Sequence, residues 1–252
     1  MNSPSAKQDE PGQLIGVGVG PGDPKNITLK ALEALREADL IFAPCSSPES
    51  EGRAESIARQ VLPDIELNRL IFDMSPGETG VQARIRGARA AARTLVALLR
   101  KGQTLAFVTL GDPNVFSTFS LVAKEVATLA PEIRIRTVPG IMAFQEVAAM
   151  SGLNLLDETE KLFLVTAVEG IEDVAESLQH PNAAVVIYKG GRQIAGIKQI
   201  LTEAGRLEGA VVGELLGLEG EQIALLEAIT EPKISYLATV IAPPLRKGSH
   251  ER

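Results

Sequence analysis

The chain has 252 residues, 45% of them hydrophobic and 23% charged, with a formal charge of −7. That length accommodates one large core or two modest ones, and the negative balance argues against a nucleic-acid partner, which requires a basic face. Cys45 is the one cysteine and His180 and His250 the two histidines, so no internal disulfide, no zinc site and no Cys/His catalytic pair is expected, and a reducing cytoplasm is the natural compartment.

Residues 1–12 are polar, with Ser3, Pro4 and Pro11, and read as a disordered lead-in rather than a signal sequence. No apolar run reaches the length of a membrane span, so no membrane partner is expected. Leu14, Ile15, Val17 and Val19 make the short apolar run of a buried first strand. It leads into Gly16-Val17-Gly18-Val19-Gly20-Pro21-Gly22-Asp23-Pro24, where Gly20 and Gly22 bracket the fixed φ of Pro21 and end the strand. Thr28 fits the N-cap of a helix carrying Leu29, Leu32 and Leu35. Strand, glycine loop and helix open many cofactor-binding α/β domains, yet two familiar fingerprints fail on spacing. A dinucleotide site starting at Gly16 needs a third glycine where Pro21 stands, and Asp39 precedes its strand rather than following it. A phosphate loop needs Gly-Lys-Ser/Thr, whereas Asp23 follows Gly22.

Leu40-Ile41-Phe42-Ala43 is a short strand, closed by Pro44 and the polar loop Cys45 to Ser50. Ala54 to Val61 is amphipathic, Leu70-Ile71-Phe72 is another strand, and Asp73 to Gly80 a turn-rich loop. Gln82 to Lys101 reads as a long helix with Ile85, Ala88, Ala92, Leu95, Val96 and Leu99 inward. Its other face carries Arg84, Arg86, Arg89 and Arg93, either a solvated face or a rim that attracts an anion. Thr104 to Leu110 is apolar almost throughout, as a central parallel strand should be. It enters Gly111-Asp112-Pro113-Asn114-Val115-Phe116-Ser117-Thr118, where Gly111 lets a ligand approach the backbone and Ser117 or Thr118 caps a helix to Leu129. Ile133 to Val138 alternates like an edge strand, and Pro139-Gly140 turns it into a helix from Ile141 to Met150. Three loops holding Gly with Pro therefore open onto one sheet edge, where open parallel sheets bind ligands.

The expected fold class is α/β, with two α/β domains and a cofactor cleft between them. An N-terminal domain over 13–152 has a mainly parallel sheet, a polar linker spans 153–160, and a C-terminal domain over 161–243 has a mixed sheet. The second domain is built from strands at Leu162–Val165, Ala184–Tyr188, Ala210–Glu214, Gln222–Leu225 and Ser235–Ile241, with helices at Ile171–Leu178 and Ile194–Ala204. Residues 244–252 are expected to fray.

Gly18-Val19-Gly20-Pro21-Gly22-Asp23, Gly111-Asp112-Pro113, Val138-Pro139-Gly140 and Ser235-Tyr236-Leu237 stand in this order between Leu14 and Ile241. They resemble the motifs of the tetrapyrrole methylases, the class III S-adenosylmethionine-dependent methyltransferases. The resemblance implies a homodimer that holds S-adenosyl-L-methionine in an interdomain cleft and releases S-adenosyl-L-homocysteine. Thr109 to Pro113 followed by Phe116-Ser117-Thr118-Phe119 is most similar to the branch that methylates carbon 20 of an early precorrin in cobalamin synthesis. Metal-free and cobalt-containing substrates both stay open. Tyr188 to Arg192 and Glu221-Gln222 fit that branch less tightly, and it often has arginine where Leu215-Leu216-Gly217 stands.

By the same resemblance, Pro21, Leu110, Gly111, Asp112, Val115, Ser117, Thr118, Met142, Ala143, Lys189, Leu215 and Leu216 are expected at the cofactor. Methyl transfer asks the protein to align the reactants and exclude water. A proton acceptor is also needed, and Asp112 is the candidate, although a carboxylate in a glycine loop more commonly fixes backbone amides. A tetrapyrrole carries acetate and propionate arms, so Arg192, Arg53, Arg86 and Arg89 are expected to bind substrate, with Arg192 foremost after its Gly-Gly turn. Other readings are a different tetrapyrrole methylase of the corrin or sirohaem routes, a diphthamide-type or ribosomal-RNA methyltransferase, and a nucleotide-sensing module without catalysis.

Overall fold

The computed structural model describes residues 12–72 and 78–246, with the backbone alone for 78–81. The expected lead-in before Gly12, residues 73–77 of the expected loop over 73–80 and the end of the tail lie outside the described residues, while residues 78–80 are helical rather than loop. The chain divides into two compact units, Met1–Met142 and Ala143–Arg252.

In the first unit, strands β1 (Gln13–Gly18), β2 (Leu40–Cys45), β3 (Leu67–Ile71), β4 (Leu105–Thr109) and β5 (Arg134–Val138) form a sheet in the order β3-β2-β4-β1-β5. Every pairing is parallel. Helices α1 (Leu29–Glu37), α2 (Arg53–Val61), α3 (Glu78–Leu99) and α4 (Thr118–Leu129) cover it. Strand side chains alternate between two cores. Leu14, Leu105 and Phe107 pack with Leu95, Leu99, Phe119 and Val122, while Ile15, Val17, Ala106 and Val108 pack with Ala31, Leu35 and Ile57. With both faces covered, β4 has no polar side to show, which explains its unbroken apolar run. A side chain at Gly16 would collide with the ring of Phe119, which fills that space and lies 5.8 Å from the ring of Phe107.

Thr28 caps α1, its Oγ1 accepting the Ala31 amide at 3.1 Å. The helix buries Ala31, Ala34 and Leu35, whereas Leu29 is 79% exposed and stands outside the core face that the spacing suggested. Behind β2, Glu55 of α2 is fully buried and accepts from Arg59 at 2.9 Å and Arg69 at 2.8 Å. Burial alone would raise its carboxyl, but hydrogen bonds and charge from Arg69 and Arg59 outweigh that and hold it below the usual glutamate range. Arg69 also donates to the carbonyl of Pro48, tying the loop after β2 to the same carboxylate.

The second unit carries β6 (Lys161–Thr166), β7 (Ala183–Tyr188), β8 (Val211–Glu214), β9 (Gln222–Leu225) and β10 (Thr239–Ala242) in the order β6-β7-β10-β8-β9. Strand β6 runs parallel to β7 and the other pairings are antiparallel, so the sheet is mixed as expected. Its helices are α5 (Ala143–Ser151), α6 (Glu172–Leu178) and α7 (Ile194–Glu203). The unit boundary falls before α5, ahead of the expected linker at 153–160. Helix α5 packs on β8, β9 and β10, and Val147 occupies the space a side chain at Gly213 would need. Strand β10 is also shorter than its apolar pattern, because Ser235–Ala238 closes a turn through an Ala238 amide bond to the Ser235 carbonyl at 2.9 Å.

Residues 243–246 are anchored rather than frayed. Arg206, 2% exposed, donates to the carbonyls of Pro243, Ala242, Ala183 and His180. Arg246 pairs with Glu160 at 2.7 Å and with Asp157 at 3.3 Å.

Candidate functional site

In the first unit the loops after β4, β1 and β5 leave adjacent strands at the same sheet edge. The Val19 amide donates to the Thr109 carbonyl at 3.0 Å and the Gly111 amide to the Gly20 carbonyl at 2.8 Å, so the first two loops stay paired beyond the sheet. A side chain at Gly18 would stand 2.5 Å from the Gly111 carbonyl oxygen and 2.6 Å from the Gly140 nitrogen. One at Gly140 would collide with the same Gly111 oxygen. Three backbones thus meet at a spacing that only glycine permits.

Gly111 differs from its neighbours. Its φ is +66°, and a Cβ there would meet nothing nearer than the Ile141 carbonyl oxygen at 3.9 Å. Its backbone therefore faces open space, which suits the close approach of a flat or extended ligand. Asp112 locks the arrangement. Its Oδ1 accepts the Asn114 amide at 2.8 Å and its Oδ2 the Gly140 amide at 3.1 Å. Asn114 reaches Thr137 of β5 at 3.3 Å, Ser120 reaches the Pro113 carbonyl at 3.3 Å, and Ser117 caps α4 by accepting the Phe119 amide at 3.0 Å. Phe116, braced between these bonds, has φ +47° and is 45% exposed.

The structure thus brings together Leu110, Gly111, Asp112, Val115, Ser117 and Thr118 on the loop after β4, beside the loop that carries buried Pro21. Leu110 and Val115 are half-buried and apolar beside the glycine-tight floor, the kind of surface that small-molecule sites present. Met142 ends the first unit just after Gly140, and Ala143 opens α5 in the second. As a proton acceptor, Asp112 has both oxygens already engaged by amides, which favours the positioning role.

In the second unit, β7 and β8 flank β10 and run parallel to each other, so their carboxyl ends lie together. Immediately past those ends stand Lys189 with φ +58° and Leu215 with φ +53°. Left-handed backbone at a non-glycine residue costs on the order of 1–2 kcal/mol, and strain of this kind gathers at ligand sites. Leu216 is buried beside Leu215. Tyr188, which precedes Lys189, has its phenol pushed up to about 12, chiefly by burial, so it remains protonated at neutral pH.

The expected substrate arginines have different surroundings. Arg192 is exposed, with its guanidinium 4.8 Å above the Tyr236 ring. Arg53, the first residue of α2, is half-buried, and burial lowers its pKa. On α3, Arg86 is exposed and Arg89 donates to Glu125 of α4 at 3.2 Å, an ion pair within the unit. The strained Phe116, the Arg192–Tyr236 stack and the Glu214 clasp on the Ser235 amide at 2.8 Å escaped sequence reasoning. Only the Gly-Gly and Ser-Tyr motifs hinted at them.

A parallel sheet whose carboxyl edge ends in glycine-locked loops, followed by a mixed-sheet unit with a strained loop cluster, defines a ligand-binding α/β class. The family profile of the tetrapyrrole (corrin/porphyrin) methylases matches residues 13–229, and the chain belongs to that family. It is 30% identical over 233 residues to the cobalt-precorrin-2 C(20)-methyltransferase of Salmonella typhimurium, covering 91% of this chain and 95% of that one. It is 27% identical over 237 residues to the precorrin-2 C(20)-methyltransferase of a Sinorhizobium species, covering 92% and 95%. The fold matches that of the uroporphyrin-III C-methyltransferase of Thermus thermophilus, solved with S-adenosylhomocysteine, at a TM-score of 0.62 and 22% identity over 92% of each chain.

Proposed function

We propose that this chain transfers a methyl group from S-adenosyl-L-methionine to carbon 20 of precorrin-2, or of its cobalt complex, in cobalamin synthesis. The observation that carries the reading is the likeness to two C(20)-methyltransferases over 95% of each of their lengths. The glycine-locked floor around Gly111 is consistent with it. The bound cofactor supplies an already activated methyl on a sulfonium. What remains to the protein is to bind, align and keep water out.

Pro21, Leu110, Gly111, Val115, Ser117 and Thr118 form the cofactor surface of the first unit. Met142, Ala143, Lys189, Leu215 and Leu216 complete the set. Asp112 holds the floor in shape rather than taking the proton. Arg192 and Arg53 receive carboxylate arms of the substrate, ahead of Arg86 and the ion-paired Arg89. Among the described residues no helix is long and apolar enough to cross a membrane, and we assign a cytoplasmic homodimer. Light scattering showing a monomer at micromolar concentration would overturn that assembly. The enzymatic reading is tested by calorimetry with S-adenosylhomocysteine and by anaerobic assays on precorrin-2 and cobalt-precorrin-2. Cofactor binding with methylation of one of them supports it, and no methylation of either refutes it.

A further inference from the structure

The turn before β10 is held from both sides. The Ile234 amide donates to the Gly191 carbonyl at 3.0 Å, the Gly190 amide to the Ala238 carbonyl at 3.2 Å, and the Ser235 amide to Glu214 Oε2 at 2.8 Å. Gly191 lies so close that a side chain there would collide with the Ser235 carbonyl. Tyr236 sits inside the four-residue turn closed by Ala238 and Ser235, so its backbone has little freedom. Its ring lies beneath the guanidinium of Arg192, 4.8 Å from ring centre to carbon. No carboxylate among the described residues pairs with Arg192.

Stacking engages the flat face of a guanidinium and leaves the in-plane N–H groups along its edge unspent. A carboxylate is read by that edge, through two parallel N–H donations. A free arginine loses rotamer freedom when it makes such a pair, whereas one already laid on a ring has lost part of it beforehand. We propose that Tyr236 is a positioning residue that lays Arg192 flat, so that the guanidinium edge reads a carboxylate arm of the tetrapyrrole. The Gly190-Gly191 turn and the Glu214 clasp keep ring and guanidinium in register. This rests on the tetrapyrrole reading and adds to it a specificity device built from the second unit alone.

The test uses the full chain and sirohydrochlorin, the oxidised counterpart of precorrin-2 with the same acetate and propionate arms, followed by its fluorescence on titration. Arg192→Met and Tyr236→Leu are each expected to weaken its binding about tenfold, with the double variant little weaker than either single one. Tyr236→Phe, which keeps the ring face, is expected to bind within about twofold of wild type. Arg192→Lys, which keeps the charge but loses the fork, is expected to resemble Arg192→Met. Affinity for S-adenosylhomocysteine should be unchanged throughout, which also shows that the variants are folded. Additive losses in the double variant, wild-type binding by Tyr236→Leu, or a Tyr236→Phe as weak as Tyr236→Leu would each overturn the proposal. Wild-type protein that ignores S-adenosylhomocysteine refutes the cofactor reading instead, and the sirohydrochlorin affinity ratios still decide the role of Tyr236.

Discussion

Asp112→Asn separates the two roles open to that residue. The carboxylate accepts the Asn114 amide with one oxygen and the Gly140 amide with the other. An asparagine offers one oxygen and one NH2, so whichever way the amide turns, a donor faces a donor. One charge-assisted bond is lost outright, at about 2 kcal/mol, and the amide left behind keeps its desolvation cost unless the loop opens. The bond most exposed to this loss is the longer one, to Gly140, which holds the loop after β5 against the loop after β4. Because the same contact shapes the floor at Gly111, the loss should appear as cofactor affinity weakened by roughly thirtyfold at about 2 kcal/mol. Isothermal calorimetry with S-adenosylhomocysteine reads it directly. A kcat measured at saturating cofactor should fall by far less than the affinity. The opposite pattern, unchanged cofactor affinity with kcat down by two orders of magnitude or more, would refute the positioning argument and make Asp112 the proton acceptor.

Three further outcomes follow from the geometry. Gly111→Val should cost on the order of 1–2 kcal/mol of stability, because valine is strained at a φ of +66°, and should abolish S-adenosylhomocysteine binding by filling the space in front of the floor, where its Cβ would meet only the Ile141 oxygen at 3.9 Å; undiminished calorimetric affinity in a variant that still melts cooperatively would contradict the site. Glu55→Gln should destabilise the first unit by about 3 kcal/mol, the low end for breaking a buried pair, because Arg69 and Arg59 keep 31% and 38% of their side chains exposed. The depressed carboxyl of Glu55 contributes stability above about pH 4.3 and loses it as pH falls through the lower folded value, so the melting gap between variant and wild type should narrow in acid; a gap that stays constant down to pH 3 contradicts this. Thr239→Val should be neutral or stabilising by up to about 1 kcal/mol in chemical denaturation, because its buried hydroxyl oxygen has no hydrogen-bond partner among the described residues; a clear loss would mean the hydroxyl is satisfied by water.

The first unit was largely legible because its sequence is locally decisive. An apolar run as continuous as Leu105–Thr109, followed by Gly-Asp-Pro, has few structures open to it, and β5 alternates as an edge strand must. What escaped depends on contacts distant in sequence. The apolar face of α5 indicates burial but not which sheet buries it, and the deciding partner, Gly213, lies far along the chain. Arg206 reads as an ordinary surface cation, and only folding gathers the His180, Ala183, Ala242 and Pro243 carbonyls that make its burial tolerable. At the site, the glycines announced themselves, because their motif is a backbone requirement written in residue type. Lys189, Leu215 and Phe116 did not, since nothing in a lysine, leucine or phenylalanine signals a left-handed φ.

Strand β10 follows β6–β9 in sequence yet lies between β7 and β8. During synthesis the first unit has all five of its strands before Met142 and can close while the rest of the chain is still being made. The second unit has no such freedom. Until Thr239–Ala242 arrives, β7 and the β8–β9 hairpin present unpaired inner edges of the kind that recruits other chains. The nascent protein therefore passes through a stage in which one half is finished and the other is a split sheet awaiting its central strand. That stage, rather than the mature fold, is where holdase chaperones have most to protect.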